Sequence, residues 1–213
     1  MNQIIANTYT ISNFNNIKKN KKTNFKFYIM LIVSIILIIT CSGYFIHTYY
    51  TQTQYDALSK QMLNKFNIQT LYANTSEYST NYLSSNNFII GALEIDILGI
   101  NYPILNDCTD ENLKISICKY YGPNPNENGN HCIVGHNYMN DKFFSKLNNL
   151  NIGDIINIYD STGNKISYTV YDKYLTTSDD LKCLEQNNNL KEITLITCNK
   201  PDNSKRLIIK AKE

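Results

Sequence analysis

Arginine is almost missing from this chain: of twenty basic residues, Arg206 alone carries a guanidinium. A composition crowded with Asn, Ile, Lys and Tyr accounts for the preference for lysine, but not for the place where the one arginine remains. Net charge is nearly absent too. A formal +2 gives no electrostatic footprint for a nucleic-acid partner. There is no Cys-x-x-Cys pair, which argues against a thioredoxin-like redox site. The spaced cysteine and histidine pairs of a structural zinc motif are missing as well, and a site made from His131, Cys132 and His136 would hold a single cysteine. No metal or other cofactor is therefore expected. No internal repeat interrupts the reading. What the chain does have is a hydrophobic fraction of 43% over 213 residues, enough for one compact domain with additional segments.

Residues Phe27 to Ile46 form an apolar stretch without a charge. A membrane-spanning helix needs about 20 mostly apolar residues, and this run meets that length. Lys18, Lys19, Lys21, Lys22 and Lys26 precede it, and few positive charges follow closely. The positive-inside rule then puts residues 1–26 in the cytoplasm as a tail and everything after the span outside, in a single pass. A cleaved signal peptide would want a shorter core and a small-residue cleavage site, and Thr40-Cys41-Ser42-Gly43 offers no Ala-x-Ala. Lipidation at Cys41 is disfavoured by Thr40 before it and by apolar residues after it. All three readings export the rest of the chain.

Beyond the span, Tyr55, Leu58, Met62 and Phe66 recur at helical spacing, predicting an amphipathic stalk or brace over roughly 51–66. Its polar face is not notably basic, which argues against a helix lying on the membrane surface. Asn67 to Asn86, rich in Asn, Ser and Thr, reads as a linker, so residues 47–86 form an extracytoplasmic stalk and linker. From 87 onward the pattern becomes strands with turn punctuation. Candidates are Phe88–Ile97, Ile100–Ile104, Ile115–Cys118, His131–Val134, Asp154–Tyr159, Ser167–Tyr174, Ile193–Thr197 and Arg206–Lys210. Asp141 to Leu150 is expected to be helical, with Phe143, Phe144 and Leu147 on its apolar face. Short strands at this density predict a mostly β domain over 87–213, a single small barrel or sandwich.

Five cysteines, Cys108, Cys118, Cys132, Cys183 and Cys198, fall in the exported part. An odd number leaves at least one thiol unpaired, and the sequence leaves open whether any of the others pair. Cys198 is the candidate for the reactive one. It ends the strand Ile193-Thr194-Leu195-Ile196-Thr197-Cys198, at a strand-to-turn boundary where a side chain can face a cleft. If that strand and the last one form a hairpin centred on Asp202, Arg206 falls directly across from Cys198. Cross-strand neighbours have Cβ atoms about 4.5–5.5 Å apart. A nearby cation favours the thiolate and can hydrogen-bond an oxyanion or a substrate carbonyl. A cysteine nucleophile usually needs a histidine. His47 sits at the membrane edge, His131 within or at the start of a strand, and His136 at that strand's exit. The strand end favours His136 over His131.

Together these residues resemble the sortase family. Thr194-Leu195-Ile196-Thr197-Cys198 fits its Thr-Leu-x-Thr-Cys signature, with Arg206 after a short turn and Val134-Gly135-His136-Asn137 upstream. The order His, Cys, Arg is the family's, whereas papain-like peptidases place Cys before His. Ile90-Gly91-Ala92-Leu93-Glu94-Ile95 and Tyr102-Pro103-Ile104 look like the family's first strands. The resemblance covers about 88–213. It implies an eight-stranded β-barrel, and a transpeptidase that cuts a C-terminal sorting signal similar to Leu-Pro-x-Thr-Gly on exported proteins. The acyl group would pass through a thioacyl enzyme to an amine acceptor of the cell wall, with Cys198 as nucleophile, His136 as proton carrier and Arg206 holding substrate and oxyanion. The resemblance also settles His136 over His131. The short stretch Leu175 to Glu192 leans away from class B, whose members carry a long helical insertion there, and towards a class A-like or class D-like enzyme. An acidic calcium-binding pattern is not traceable, and Tyr72 to Asn86 shows no lid motif. The competing readings are a non-catalytic exported β-domain for adhesion or cell-wall binding, and a cysteine peptidase that delivers its acyl group to water.

Overall fold

In the computed structural model, residues 2–73, 88–138 and 140–213 are described, with side chains from Phe25 onward. The chain divides into two compact units, Met1–Thr53 and Gln54–Glu213. Helix α1 (Asn2–Ala73) makes up the described part of the first unit and opens the second. From Phe25 it holds a stretch long and apolar enough to cross a membrane. Its side chains there are uncovered by protein: Met30 is 73% exposed and Ile39 64%. Exposure on this scale is unfavourable in water and neutral in lipid.

The stalk helix expected at 51–66 is a part of α1, not an element of its own. Tyr55, Met62 and Phe66 turn towards protein as the periodicity implies, but Leu58 faces out and Ser59 takes its place in the buried stripe. Of the linker expected at Asn67–Asn86, residues 67–73 are still helical; 74–86, and with them most of the stretch Tyr72 to Asn86 that shows no lid motif, lie outside the described residues.

The second unit is built around a closed eight-stranded barrel. Its strands are β1 (Ile89–Ile95), β2 (Ile100–Leu105), β3 (Ile117–Tyr121), β4 (Gly129–Val134), β5 (Ile155–Asp160), β6 (Lys165–Thr177), β7 (Lys191–Cys198) and β8 (Lys205–Lys212). Around the barrel the order is β1-β2-β3-β4-β7-β8-β6-β5, with β5 returning to β1. The pairs β2–β3 and β4–β7 are parallel and the rest antiparallel. Every one of the eight expected strands is present.

Two stretches differ from expectation. Asp141 to Leu150 is not a helix: it runs through turns and ends in a 3-10 turn, Leu147–Asn149. Asp141 and Phe143 have φ of 62° and 51°, which an α-helix cannot accommodate. Its apolar residues are nevertheless buried, for Phe143, Phe144 and Leu147 close one end of the core. A short helix, α2 (Asp110–Ile115), stands where none was expected. Thr109 caps it by accepting the Asn112 N–H at 3.2 Å, with Asp110 and Glu111 at its N-terminal end and Lys114 in its last turn, all favourable to the helix dipole.

Alternation along the strands fills the barrel. Leu93, Ile95, Ile133, Ile193, Leu195, Leu207 and Ile209 point inwards and are buried. The outward positions of the β4–β7–β8 region are apolar as well. Cys132, Ile196 and Ile208 join Cys183, from the β6–β7 connection, in a second cluster on the outer face, with Tyr174 and Leu184 packed against it. A strand covered on both faces reads as a nearly unbroken apolar run, as β7 does.

Polar groups pin the β6–β7 connection to this face. Asn130 on β4 donates to the carbonyls of Cys183 at 2.9 Å and Glu185 at 3.1 Å, and accepts from Thr194 Oγ1 at 2.8 Å. Gln186 exchanges a further pair of bonds with the Asn130 backbone, at 2.9 and 3.1 Å. Removing one buried partner leaves the others unsatisfied, so Asn130→Ala should destabilise the fold by about 2–3 kcal/mol. Chemical denaturation read by circular dichroism measures this, and a loss below about 0.5 kcal/mol would show that the connection is held by packing alone.

Candidate active site

Position 198 lies where three strands converge. The β7–β8 ladder pairs Cys198 directly with Arg206. On the other side of β7 runs β4, parallel, with Val134 in register with Ile196. Beyond that last pair the chain stays stitched to β7. The Gly135 N–H donates to the Ile196 carbonyl at 3.2 Å, Thr197 Oγ1 donates to the Gly135 carbonyl at 2.7 Å, and Asn137 Nδ2 donates to the Cys198 carbonyl at 2.8 Å. His136 is thus held from both sides beside the end of β7. Thr197 is buried and serves this stitching, as its position on the opposite side of the strand implies.

Glycine is required at 135. A Cβ there would come within 2.8 Å of both Ile117 Cγ2 and Phe144 Cδ2, against two buried side chains. The close approach lets the chain leave β4 flush with the core, which presents His136 at the rim.

His136 is half-buried, and its ring stacks on Tyr138 at 4.9 Å between centroids. Burial holds its pKa below the usual value; Asp110 on α2 opposes that shift and Lys114 adds to it. At neutral pH the imidazole is accordingly mostly neutral. Cys198 is partly exposed and unbonded to another cysteine; the other five cysteines are free as well.

The Arg206 guanidinium folds over its own turn, Nη1 donating to the carbonyls of Asn203 at 2.8 Å and Lys205 at 3.2 Å. Among the described residues it forms no ion pair with a carboxylate. Arg206 also lines a cleft of about 290 Å³, with Val134, Ile196 and Ile208 as an apolar floor and with Thr176, Leu181 and Leu184. Neither Cys198 nor His136 lines this cleft, but its floor belongs to the face of the sheet on which Cys198 and Arg206 stand.

A family model described as the sortase domain matches residues 93–213, more than half of the chain. The chain belongs to the sortase family. Sortase A of Bacillus anthracis is 33% identical to it over 124 residues, which span 57% of this chain and 58% of that protein. Among solved structures, a Clostridium perfringens sortase D5 transpeptidase superposes with a TM-score of 0.62 at 26% identity, covering 74% of this chain and 98% of that one. A Clostridium perfringens sortase C, solved with the C-terminal cell wall sorting motif, shares the fold at a TM-score of 0.54 and 21% identity, covering 75% of this chain and 89% of that one. Between β6 and β7 this sortase carries one three-residue 3-10 turn, Lys182–Leu184.

Two other histidines remain. His47 lies on α1 within the first unit. His131 is buried on β4, where its Nδ1 donates to the Pro123 carbonyl at 2.8 Å, an arrangement that fixes the Nδ1–H tautomer. Its Nε2 is buried and has no partner among the described residues. Burial is the main cause that pushes its pKa down to about 4. Roles missed at the level of sequence include those of Asn137, whose amide ties the histidine segment to Cys198, and Tyr138, whose ring centroid lies 4.9 Å from that of the imidazole. Asn137 stands in the stretch that resembles the family, but the resemblance gives it no role, and one tyrosine in a chain with seventeen carries no distinguishing signal.

The depressed pKa of His131 has a consequence for stability. The unfolded chain takes up a proton near pH 6.5, while the folded one resists until about 4. Stability is therefore full above pH 6.5 and falls through the interval down to pH 4, by an amount on the order of 3 kcal/mol. A His131→Asn variant, which retains a donor for Pro123, should lose much of this acid sensitivity in denaturation curves taken at both pH values. An unchanged pH dependence would place the acid-labile group elsewhere.

Proposed function

We propose that this sortase is a membrane-anchored cysteine transpeptidase with its barrel outside the cell, and that Cys198, His136 and Arg206 perform the reaction. One observation carries the proposal: the only guanidinium in the chain is the register partner of a partly exposed thiol, next to a histidine held by the adjoining strand. A structural cysteine needs neither neighbour.

The substrate is the C-terminal sorting signal of an exported protein, of a kind similar to Leu-Pro-x-Thr-Gly. The apolar floor of Val134, Ile196 and Ile208 suits short aliphatic and proline side chains. The sortase C solved with a cell wall sorting motif supports a peptide of this class. The Cys198 thiolate attacks the carbonyl carbon at the scissile bond. A C–S bond forms, the C–N bond breaks, and His136, in the minority of molecules that carry it as imidazolium, gives a proton to the departing amine. Burial that lowers the pKa of His136 makes that imidazolium a stronger acid. An acceptor amine from a cell-wall precursor then attacks the thioester. Its proton passes to His136, the C–S bond breaks, and the thiolate is restored. The Arg206 fork, unneutralised by any described carboxylate, donates to the oxygen that gains charge in both steps.

Lys26 and the lysines at 18, 19, 21 and 22 support a single pass with the N-terminus in the cytoplasm and the barrel outside, where both proposed substrates are found.

Cleavage of a panel of sorting-signal peptides, with and without a glycine-based amine, tests the reading. Cys198→Ala and His136→Ala should lower turnover at least about a thousandfold without loss of fold. Arg206→Lys should lower it about a hundredfold, since an ammonium lacks the fork. Wild-type turnover in Cys198→Ala would end the proposal. Hydrolysis unaffected by added amine would leave a peptidase in place of a transferase.

A further inference from the structure

His136 is linked to α1 by an unbroken line of contacts. Its ring stacks on Tyr138 at 4.9 Å; Tyr138 meets Phe143 at 5.7 Å; Phe143 meets Tyr102 of β2 at 5.1 Å. The Phe143 N–H donates to the Tyr102 hydroxyl at 3.3 Å, and Phe143 bridges to Asn137, the residue after His136. The next N–H, that of Phe144, donates to the His136 carbonyl at 3.0 Å. Adjacent to Phe143, Lys142 forms an ion pair with Asp56 of α1. Both partners of that pair are mostly shielded, with 21% and 33% of their side chains exposed. Asp56, Ser59 and Leu63 of α1 share a cleft of about 350 Å³ with Tyr102, Lys142 and Phe143.

The segment that carries this line is strained. Phe143 is a bulky residue with φ of 51°, and Asp141, two positions earlier, has φ of 62°. Such a backbone persists only where its surroundings over-determine it. The aromatic rings, the Tyr102 hydroxyl and the Asp56–Lys142 pair are those surroundings.

We propose that Asp56 and Lys142 are positioning residues for His136, acting through Phe143 and Tyr138, so that the end of α1 packed on the barrel sets where the proton carrier stands. The inference rests on the role proposed above for His136. Proton transfer to a departing amine requires placement to a fraction of an ångström, and a relaxed 141–143 turn would forfeit it. The effect is geometric. The charges that act on His136 are those of Asp110 and Lys114 on α2, and Tyr138 faces it from its own segment; Asp56 and Lys142 are not among them. A change in His136 titration on altering the pair therefore reports a moved ring.

The test uses the full chain in detergent micelles, as wild type, Asp56→Asn, Lys142→Met and the swapped double variant with Asp56→Lys and Lys142→Asp. Two quantities are read: kcat and KM for peptide and amine, and the His136 titration midpoint by NMR of ¹⁵N-histidine-labelled protein. Each single variant should lower kcat about tenfold with KM within about twofold, and raise the midpoint towards the ordinary 6.5 as the ring becomes exposed. The swapped pair should recover most of both, which a variant that merely fails to fold could not do. Single variants with wild-type kcat and an unmoved midpoint would overturn the proposal, as would a swapped pair no better than the singles. If even wild type turned over no sorting peptide, the reading of function would fail by itself. The midpoint would then decide this inference alone, supporting it if moved and overturning it if not.

Discussion

Everything at the site hangs on β4 lying parallel to β7. A parallel pair cannot be joined by a tight turn, so the chain travels from β4 through β5 and β6 before it returns as β7. That detour brings His136 and Cys198, far apart in sequence, to the same end of neighbouring strands, because both strands run in the same direction. The hairpin to β8 then adds Arg206 with no further search, since antiparallel register alone places it opposite the cysteine. Closure of the barrel fixes the set. With β5 returned to β1, neither strand can slide without disturbing every other ladder.

The strands were legible because alternation of apolar and polar residues is a local signal, and each strand carries enough of it. The hairpin partnership of Cys198 and Arg206 was legible for the same reason: two strands, a short turn, and counting. What failed was local signal without its context. Asp141 to Leu150 has apolar residues at helical spacing, yet those side chains reach the core from turns, with Phe143 in a backbone conformation that its side chain disfavours. Leu58 and Ser59 exchange places for a related reason. The stripe on α1 is set by what the barrel offers it and not by hydrophobicity alone. In the case of α2 the signal was present. Thr109 followed by Asp110 and Glu111 is a helix start, but six residues are too few for a periodic face to show.

Asn130 illustrates a residue that no pattern reveals. In sequence it is one asparagine among many, on the first positions of a strand. In the fold it holds the β6–β7 connection against β4 and β7 by a fully paired amide, under the apolar cluster of Cys132, Cys183, Ile196 and Ile208. That connection forms one wall of the cleft beside Arg206. A buried, satisfied polar group therefore shapes an otherwise greasy groove, and the specificity of the groove is tied to the stability of the fold.

The pleat of β8 makes the placement of the guanidinium all-or-none. Side chains on a strand alternate with a period of two, so a one-residue slip of β8 against β7 and β6 would not nudge Arg206 but invert it. The charge would be driven into the barrel, and Leu207, buried at 3%, would emerge in its place. The buried face of β8 forbids that slip, so a residue gained or lost in the 199–204 turn is taken up by the turn itself, and its span can drift without carrying the guanidinium away from its cysteine.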